Sequence, residues 1–598
     1  MLIACVACLF AMQPEKMVTI PFWVEVEADG EIEQITPWVN DNGTGYVFLP
    51  AYADAAKATL RLKTTDEVYI QDVRLTDQMN CGDFQLEVPY ELGFSAWGKM
   101  QQRQIMFVQS AKVPTMFIDT ESGSMEYIHA KKGNEEAGEM RLYLADGSLS
   151  YVGKINDING RGNNTWEEFE KKPYSMNLVE EADLLGMGAA QKWILLANAD
   201  DPSHMRNKMV FDFADEIGLA FSPDAEWVDL YLNGEYVGLY LLSERNEVAT
   251  ERVNIEKKNG FLVSIEIMKR LEQQGYLYVV TKENQAVRIH YPENIDKRKP
   301  DILVTLQSVE NAIMNENGID QRTGKSWSEL IDVDSWVRKY LIEEVFVNGD
   351  GCAISQFFYG LGEKLYAGPV WDYDHAIGTY ADWRLMRANY LLAERREKAE
   401  GHEAPWFYSL NQKREFKEMV MQCYQNVILP KMNGMISGKI DEYVMLLKKA
   451  GLTDGIRWRE KANCLEKEVE YIKEFLGRRI DFLNRLWEKK QQYNVIKIDQ
   501  RRGETYGCLA CFHGEKIEAF PDLPDNAYQT FLGWYYEGTD EPFDPDRPIY
   551  EDTAVYAKWE DTPYKRISQV KKLLPAGVIA IMFLAILAAD VRRMRKGG

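Results

Sequence analysis

The chain has 598 residues, 46% of them hydrophobic and 12% aromatic, and a formal net charge of −23. That length exceeds what one hydrophobic core usually supports, so several domains are expected. The acidic balance excludes a general nucleic-acid binder, which needs a basic surface to displace phosphate counterions, and suits an acidic body displayed in solvent.

Residues 1–16 form an apolar segment (Leu2, Ile3, Val6, Leu9, Phe10) followed by Gln13-Pro14. It reads as the core of a signal peptide lacking its basic n-region, or else as a buried N-terminal strand. Residues 17–111 read as β. Val18–Val26, Ala58–Leu62 and Val68–Val73 are short, β-branched or aromatic runs punctuated by turn sequences such as Asn40-Asp-Asn-Gly-Thr-Gly45, which predicts a small β-sandwich.

From residue 112 to 495 the pattern is mixed. Leu230-Tyr-Leu-Asn-Gly-Glu-Tyr-Val237 predicts a hairpin, since Asn233-Gly234 can take the two positive φ values of a type I′ turn. Asp334–Phe346 predicts a helix with Asp334 as N-cap and with Trp336, Tyr340, Leu341 and Val345 at helical spacing. This helix would deliver Asp350 just past its end, in the Gly-flanked loop Val347-Asn-Gly-Asp-Gly-Cys352. Shortly after, an apolar run ends in Trp371-Asp-Tyr-Asp374, with Asp372 and Asp374 at i, i+2. Such carboxylates either end a strand, Asp being a common turn residue, or hold a hard divalent cation, which takes oxygen ligands and often only one or two protein carboxylates. Leu465, Val469, Ile472, Leu476, Ile480, Leu483 and Trp487 recur in steps of three and four, a core-facing helix.

Residues 496–561 are rich in alternating aromatics: Phe531-Leu-Gly-Trp-Tyr-Tyr-Glu-Gly538, then Thr553-Ala-Val-Tyr-Ala-Lys-Trp559. The module also holds Cys508-Leu-Ala-Cys511; of the eight cysteines, Cys5 and Cys8 in the N-terminal apolar segment are spaced the same way. One Cys-x-x-Cys in the module falls short of the four ligands structural zinc takes, and in a strand the two side chains face opposite ways, so two ordinary thiols are expected. After a linker, 562–572, the run Leu573–Ala589 is apolar apart from Pro575 and Gly577, and the basic tail 592–598 follows. Seventeen residues is the short end of a spanning helix, and 573–591 is expected to be a single transmembrane anchor. Lys565, Arg566, Lys571 and Lys572 flank its other side, so its orientation rests on the N-terminal signal: the bulk outside, the tail inside.

Five blocks in order resemble the CotH family, the spore-coat-protein-H-type kinases. They are Gly160-Arg-Gly-Asn-Asn-Thr-Trp166, Lys171-Lys-Pro-Tyr174, Lys192–Asn198 with Arg206-Asn207, Val228–Glu244, and Lys364–Gly378 with its Trp-Asp-Tyr-Asp. The resemblance spans about residues 112–490 and implies an α+β, atypical protein-kinase-like domain that uses ATP and Mg²⁺ (or Mn²⁺) to phosphorylate Ser or Thr of a surface or spore-coat protein.

By that resemblance Asp350 takes the acceptor side as the catalytic carboxylate. Asp372, with Asp374 as second candidate, takes the metal. Lys172, Lys171 and Lys192 are candidates for the phosphate lysine, and Arg161 and Asn163 lie in the nucleotide-side block. Asn198, Arg206 and Asn207 are expected to make structural hydrogen bonds. Kinase-type sites often place a second oxygen ligand for metal a few residues after the catalytic Asp; here only Ser355 or Gln356 could serve.

The aromatic module resembles the Listeria–Bacteroides repeat, a β-grasp-like unit of bacterial surface proteins, which implies a spacer or adhesive module between the kinase-like body and the membrane; with the terminal apolar segments, the expected location is the cell membrane of a Gram-positive bacterium with the bulk extracellular. The competing expectation is a catalytically weak or inactive kinase-like surface adhesion or scaffold protein. The acceptor protein and the oligomeric state are not legible.

Overall fold

A computed structural model describes residues 19–562, apart from 97, 293–297, 380–381, 395–396, 399–401, 404, 459–463 and 502–505. The signal-like segment, the apolar run 573–591 and the basic tail lie outside the described residues. Among those described, no helix is long and apolar enough to cross a membrane. The architecture is α+β, in two compact units: residues 1–262, 368–375 and 430–474 form the first, and 263–367, 376–429 and 475–598 the second.

The first unit opens with ten short strands: β1 (Phe22–Ala28), β2 (Glu31–Ile35), β3 (Trp38–Val39), β4 (Gly45–Leu49), β5 (Thr59–Leu62), β6 (Val68–Ile70), β7 (Val73–Arg74), β8 (Met79–Asn80), β9 (Pro89–Ala96) and β10 (Lys99–Gln109). They form two sheets, β2-β1-β5-β8 and β3-β4-β10-β9-β6-β7, that share one core, the sandwich that the short β-branched and aromatic runs predict.

Seven further strands close into a barrel, ordered β11-β12-β13-β14-β15-β17-β16. They are β11 (Thr115–Thr120), β12 (Glu135–Tyr143), β13 (Leu149–Gly160), β14 (Tyr174–Asp183), β15 (Ala189–Leu196), β16 (Ala225–Leu232) and β17 (Glu235–Glu244). Closure comes from a parallel pairing of β11 with β16, Thr115 to Ile118 against Asp229 to Leu232. The period of two sorts side chains between two cores. Met116, Ile118, Leu230 and Leu232 fill the barrel, whereas Phe117 and Tyr231 point outward, stack at 4.6 Å and join the core of the two-sheet sandwich. Tyr143 and Tyr236 do the same, and buried Glu33 of β2 accepts from Arg141 and from Tyr143 Oη. The β16–β17 hairpin turns at Asn233 (φ 52°) and Gly234 (φ 79°) as the turn chemistry predicts.

In the second unit the sheet β19-β20-β18-β21-β22 comprises β18 (Phe261–Ile265), β19 (Tyr278–Val280), β20 (Ala286–Tyr291), β21 (Gln356–Leu361) and β22 (Lys364–Ala367). The helix Val333–Phe346 is there, but its N-cap is Asp332, whose carboxylate accepts from Ser335 N–H. Asp334, the expected cap, instead pairs with Arg338 one turn on at 2.7 Å. Trp336 of this helix sits among Phe358, Trp406 and Phe407 and donates to Leu365 O.

After a short hairpin, β23 (Glu397–Lys398) and β24 (His402–Glu403), the unit ends in a four-stranded sheet ordered β26-β25-β28-β27. Its strands are β25 (Tyr493–Asp499), β26 (Gly507–Phe512), β27 (Gln529–Tyr536) and β28 (Thr553–Asp561), with β25 and β28 parallel. Cys508 Sγ bonds Glu394 O and Cys511 Sγ bonds Glu515 O, two thiols with different partners.

Candidate functional site

In the first unit the Arg161-Gly-Asn163 block follows directly on β13. Gly160 has no room for a side chain: a Cβ there would fall 2.2 Å from the Trp166 ring. Arg161 N–H bonds Pro173 O, and its guanidinium lies 5.4 Å from the centroid of Trp371. The structure thus brings the Arg-Gly-Asn block against the Trp-Asp-Tyr-Asp motif. The helix Arg206–Glu216 holds the same motif. Phe211 stacks on Trp371 at 5.9 Å, and buried Asn207 Oδ1 accepts from Tyr373 N–H at 2.8 Å. Arg206 is buried and paired with Asp201 and Glu468. Arg206 and Asn207 are therefore structural, as expected.

Held this way, the backbone at Asp372 is left-handed, with φ 69°. For a non-glycine residue that conformation is uncommon and costs roughly 1–3 kcal/mol, so it persists only where the surroundings over-determine it. Asp372 and Asp374 are both half-buried, and His375 Nε2 lies 3.0 Å from Asp200 Oδ2.

The three candidate lysines separate clearly. Lys171 is buried; its Nζ lies 2.5 Å from Asp454 Oδ1, donates to Leu239 O at 2.7 Å and stands 4.9 Å from the centroid of Tyr240. Gly238, with φ 118°, makes room for this pair, since a Cβ there would be 2.5 Å from Asp454. Lys172 donates to Trp166 O at 2.6 Å and lies over that ring. Lys192, on β15, is 38% exposed and faces Glu247 at 3.4 Å. Asn163 accepts from Lys132.

In the second unit the helix Val333–Phe346 stops at Val347, which is left-handed (φ 47°) and donates back to Glu343 O. Asp350 is half-buried. Its N–H bonds Asn348 Oδ1, and its carbonyl accepts from Ala353 and Ile354 N–H. Two more non-glycine residues in this loop are left-handed, Cys352 (φ 64°) and Ser355 (φ 55°). Strain of this kind gathers at functional loops. Gln356 is fully buried; its Nε2 donates to Ile354 O, while its Oε1 has no hydrogen-bond partner among the described residues. A buried amide oxygen without a donor is costly, and a cation or water would satisfy it.

Among the described residues no group of three or more His, Cys, Asp or Glu stands in metal-holding geometry. In the first unit the candidate donors are hard oxygens, the Asp372 and Asp374 carboxylates, whose chemistry suits a hard divalent cation such as Mg²⁺ or Mn²⁺.

Two buried ion pairs escaped the sequence reading. Lys339 pairs with Glu343 at 2.6 Å and Arg479 with Glu344 at 2.9 Å, all four side chains at 0–1% exposure. Their signal was present: Glu343-Glu344 interrupts an otherwise apolar helix face.

Comparison with known proteins gives two matches. The family model described as CotH kinase protein matches residues 158–483. The inner spore coat protein H of Bacillus subtilis (strain 168) is 28% identical over 261 residues, which cover 41% of this chain and 67% of that protein.

Proposed function

The chain belongs to the CotH kinase protein family, and from that premise we propose that it is a protein kinase transferring the γ-phosphoryl group of ATP to a Ser or Thr hydroxyl of a surface or spore-coat protein. The observation that carries this is the pair of aspartates at the family's motif positions, Asp350 and Asp372. Asp372 is itself left-handed, and Asp350 lies between left-handed Val347 and Cys352.

In this reading the acceptor oxygen forms its bond to the γ-phosphorus as the bond to the ADP oxygen breaks, and the hydroxyl proton passes to the Asp350 carboxylate. Asp372 and Asp374 hold the divalent cation, with Gln356 Oε1 or Ser355 for a second. A bound cation neutralises charge on the phosphates. Of the lysines, Lys192 is assigned to the α/β phosphates. It sits on a strand, half-exposed and paired with a glutamate, the arrangement protein kinases use, whereas Lys171 is spent inside the fold. Arg161 and Asn163 border the nucleotide. Display outside the cell, anchored by 573–591, and an adhesive or spacer role for the aromatic module belong to the same proposal and rest on sequence alone.

The test is autophosphorylation with labelled ATP and nucleotide titration with and without Mg²⁺. Asp372→Ala is expected to lose Mg-dependent binding, and Asp350→Ala to bind but not transfer. A wild-type protein that neither binds Mg-ATP nor transfers phosphate favours the scaffold reading. Transfer surviving in both variants places the site elsewhere.

A further inference from the structure

The C-terminal sheet is hydrogen-bonded into the second unit. Edge strand β26 has a further partner beyond β25: Leu391 N–H donates to Cys508 O and Ala510 N–H to Asn389 O, both at 2.9 Å, and Asn389 Nδ2 donates to Ala510 O at 2.7 Å. Upstream, Trp383 packs between Phe520 and Trp534 at 5.3 and 5.8 Å. Buried Arg384 grips the Asp382 carboxylate and sends Nη1 to Ile498 O at 2.8 Å. Arg387 donates to Ala519 O. The stretch 382–391 is thus tied along its length to β25, β26 and the loop before β27.

The same stretch runs on into the end of the helix that carries the Asp350 loop. Leu392 and Ala393 N–H bond the Glu344 carboxylate at 3.3 and 2.9 Å. Arg479, fully buried, donates to Ala388 O and Tyr390 O, and to both the carbonyl and the carboxylate of Glu344. Ile377 N–H adds a bond to Phe346 O at 2.7 Å. Glu344 stands six residues before Asp350 in the chain. A buried, fully bonded ion pair adds little net stability compared with apolar packing; what it supplies is a fixed geometry.

We propose that the C-terminal β module acts in cis as a positioning element: it holds residues 382–393, and through Glu344 and Arg479 these set the end of the Val333–Phe346 helix and the Asp350 loop. The family match ends at residue 483, so the module is a device of this chain beyond the matched region. That the loop so positioned is catalytic rests on the kinase reading; the positioning itself does not.

Gly507 offers the perturbation. A Cβ at this position of β26 would stand 3.0 Å from Arg384 Cδ and 3.1 Å from both Arg384 Nε and Tyr390 Cε2, so Gly507→Val pushes the module off the stretch without touching the loop. In the full chain, hydrogen exchange followed by mass spectrometry is expected to show at least tenfold faster exchange at 388–393 and also at 344–354. Phosphate transfer is expected to fall tenfold or more while Mg-ATP affinity changes less than twofold. Arg387→Ala, which removes the bond to Ala519 O, the ion pair with Glu518 and the guanidinium over Trp383, should move both regions the same way and serves if Gly507→Val does not fold. Leu532→Ser, on an exposed position of β27, should change neither. Unchanged exchange at 344–354 with 388–393 loosened, or no loosening in either variant, overturns the proposal. If the wild type does not transfer phosphate, the kinase reading fails alone, and exchange at 344–354 still decides the positioning.

Discussion

Replacing Lys171 by Met should destabilise the first unit by about 3–5 kcal/mol at pH 7, the usual cost of removing one partner from a buried ion pair. The size can be worked from the surroundings. Asp454 is fully buried, and without the ammonium it keeps Leu239 N–H at 2.9 Å and His204 Nε2 at 3.4 Å. Its cheapest escape is to take up a proton. From an ordinary carboxyl pKa of about 3.9, and at 1.36 kcal/mol per unit, that costs about 4 kcal/mol at pH 7 but only about 1.5 kcal/mol at pH 5. The penalty must therefore shrink as pH falls, because the folded variant holds a proton that the unfolded chain releases. Protonation of His204 instead gives the same sign.

Native-state hydrogen exchange in β17, where Leu239 N–H reports directly on Asp454, measures the opening free energy. Lys171→Met/Asp454→Asn should recover most of the loss, since an amide oxygen still accepts from Leu239. A loss below about 0.5 kcal/mol, or one that grows toward low pH, would refute the argument, the first value being typical of an exposed lysine.

Lys192→Ala should behave oppositely, changing stability by less than about 0.5 kcal/mol because its pair is partly exposed, while weakening Mg-ATP binding measured by titration calorimetry. Burial pushes the Asp229 carboxyl up to about 7. Stability from the neutral form is thus full below about pH 4 and lost as pH rises toward 7. Asp229→Asn should flatten that dependence in urea unfolding between about pH 4 and 7, and an unchanged slope counts against it. Gly238→Ala, at φ 118° and 2.5 Å from Asp454, should cost several kcal/mol by thermal unfolding, as overpacking and left-handed strain combine.

What could be read in advance was local. The Asn233-Gly234 turn follows from the φ values its residues tolerate, and the 465–483 stripe from a repeat of three and four; both are present. The helix before Asp350 was legible but its cap was not, because Asp332 and Asp334 are equally good acceptors in sequence; in the fold Asp332 accepts from Ser335 while Asp334 pairs with Arg338. Lys171 and Lys172 are adjacent and alike in sequence. What parts them is Asp454, 283 residues away, and no pattern within the motif encodes that distance. Barrel closure was hidden for the same reason, since β11 waits for β16 across the whole intervening sequence.

That closure also sets an order of events at the ribosome. The last sandwich strand, β10, ends at Gln109, yet its core is completed by Tyr231 and Tyr236. At about 5–20 residues per second, the intervening stretch takes on the order of ten seconds to emerge. Throughout that interval an apolar sheet face has no cover of its own. A nascent chain stalled between β10 and β16 should therefore engage holdase chaperones strongly, and one extended past β17 should let them go.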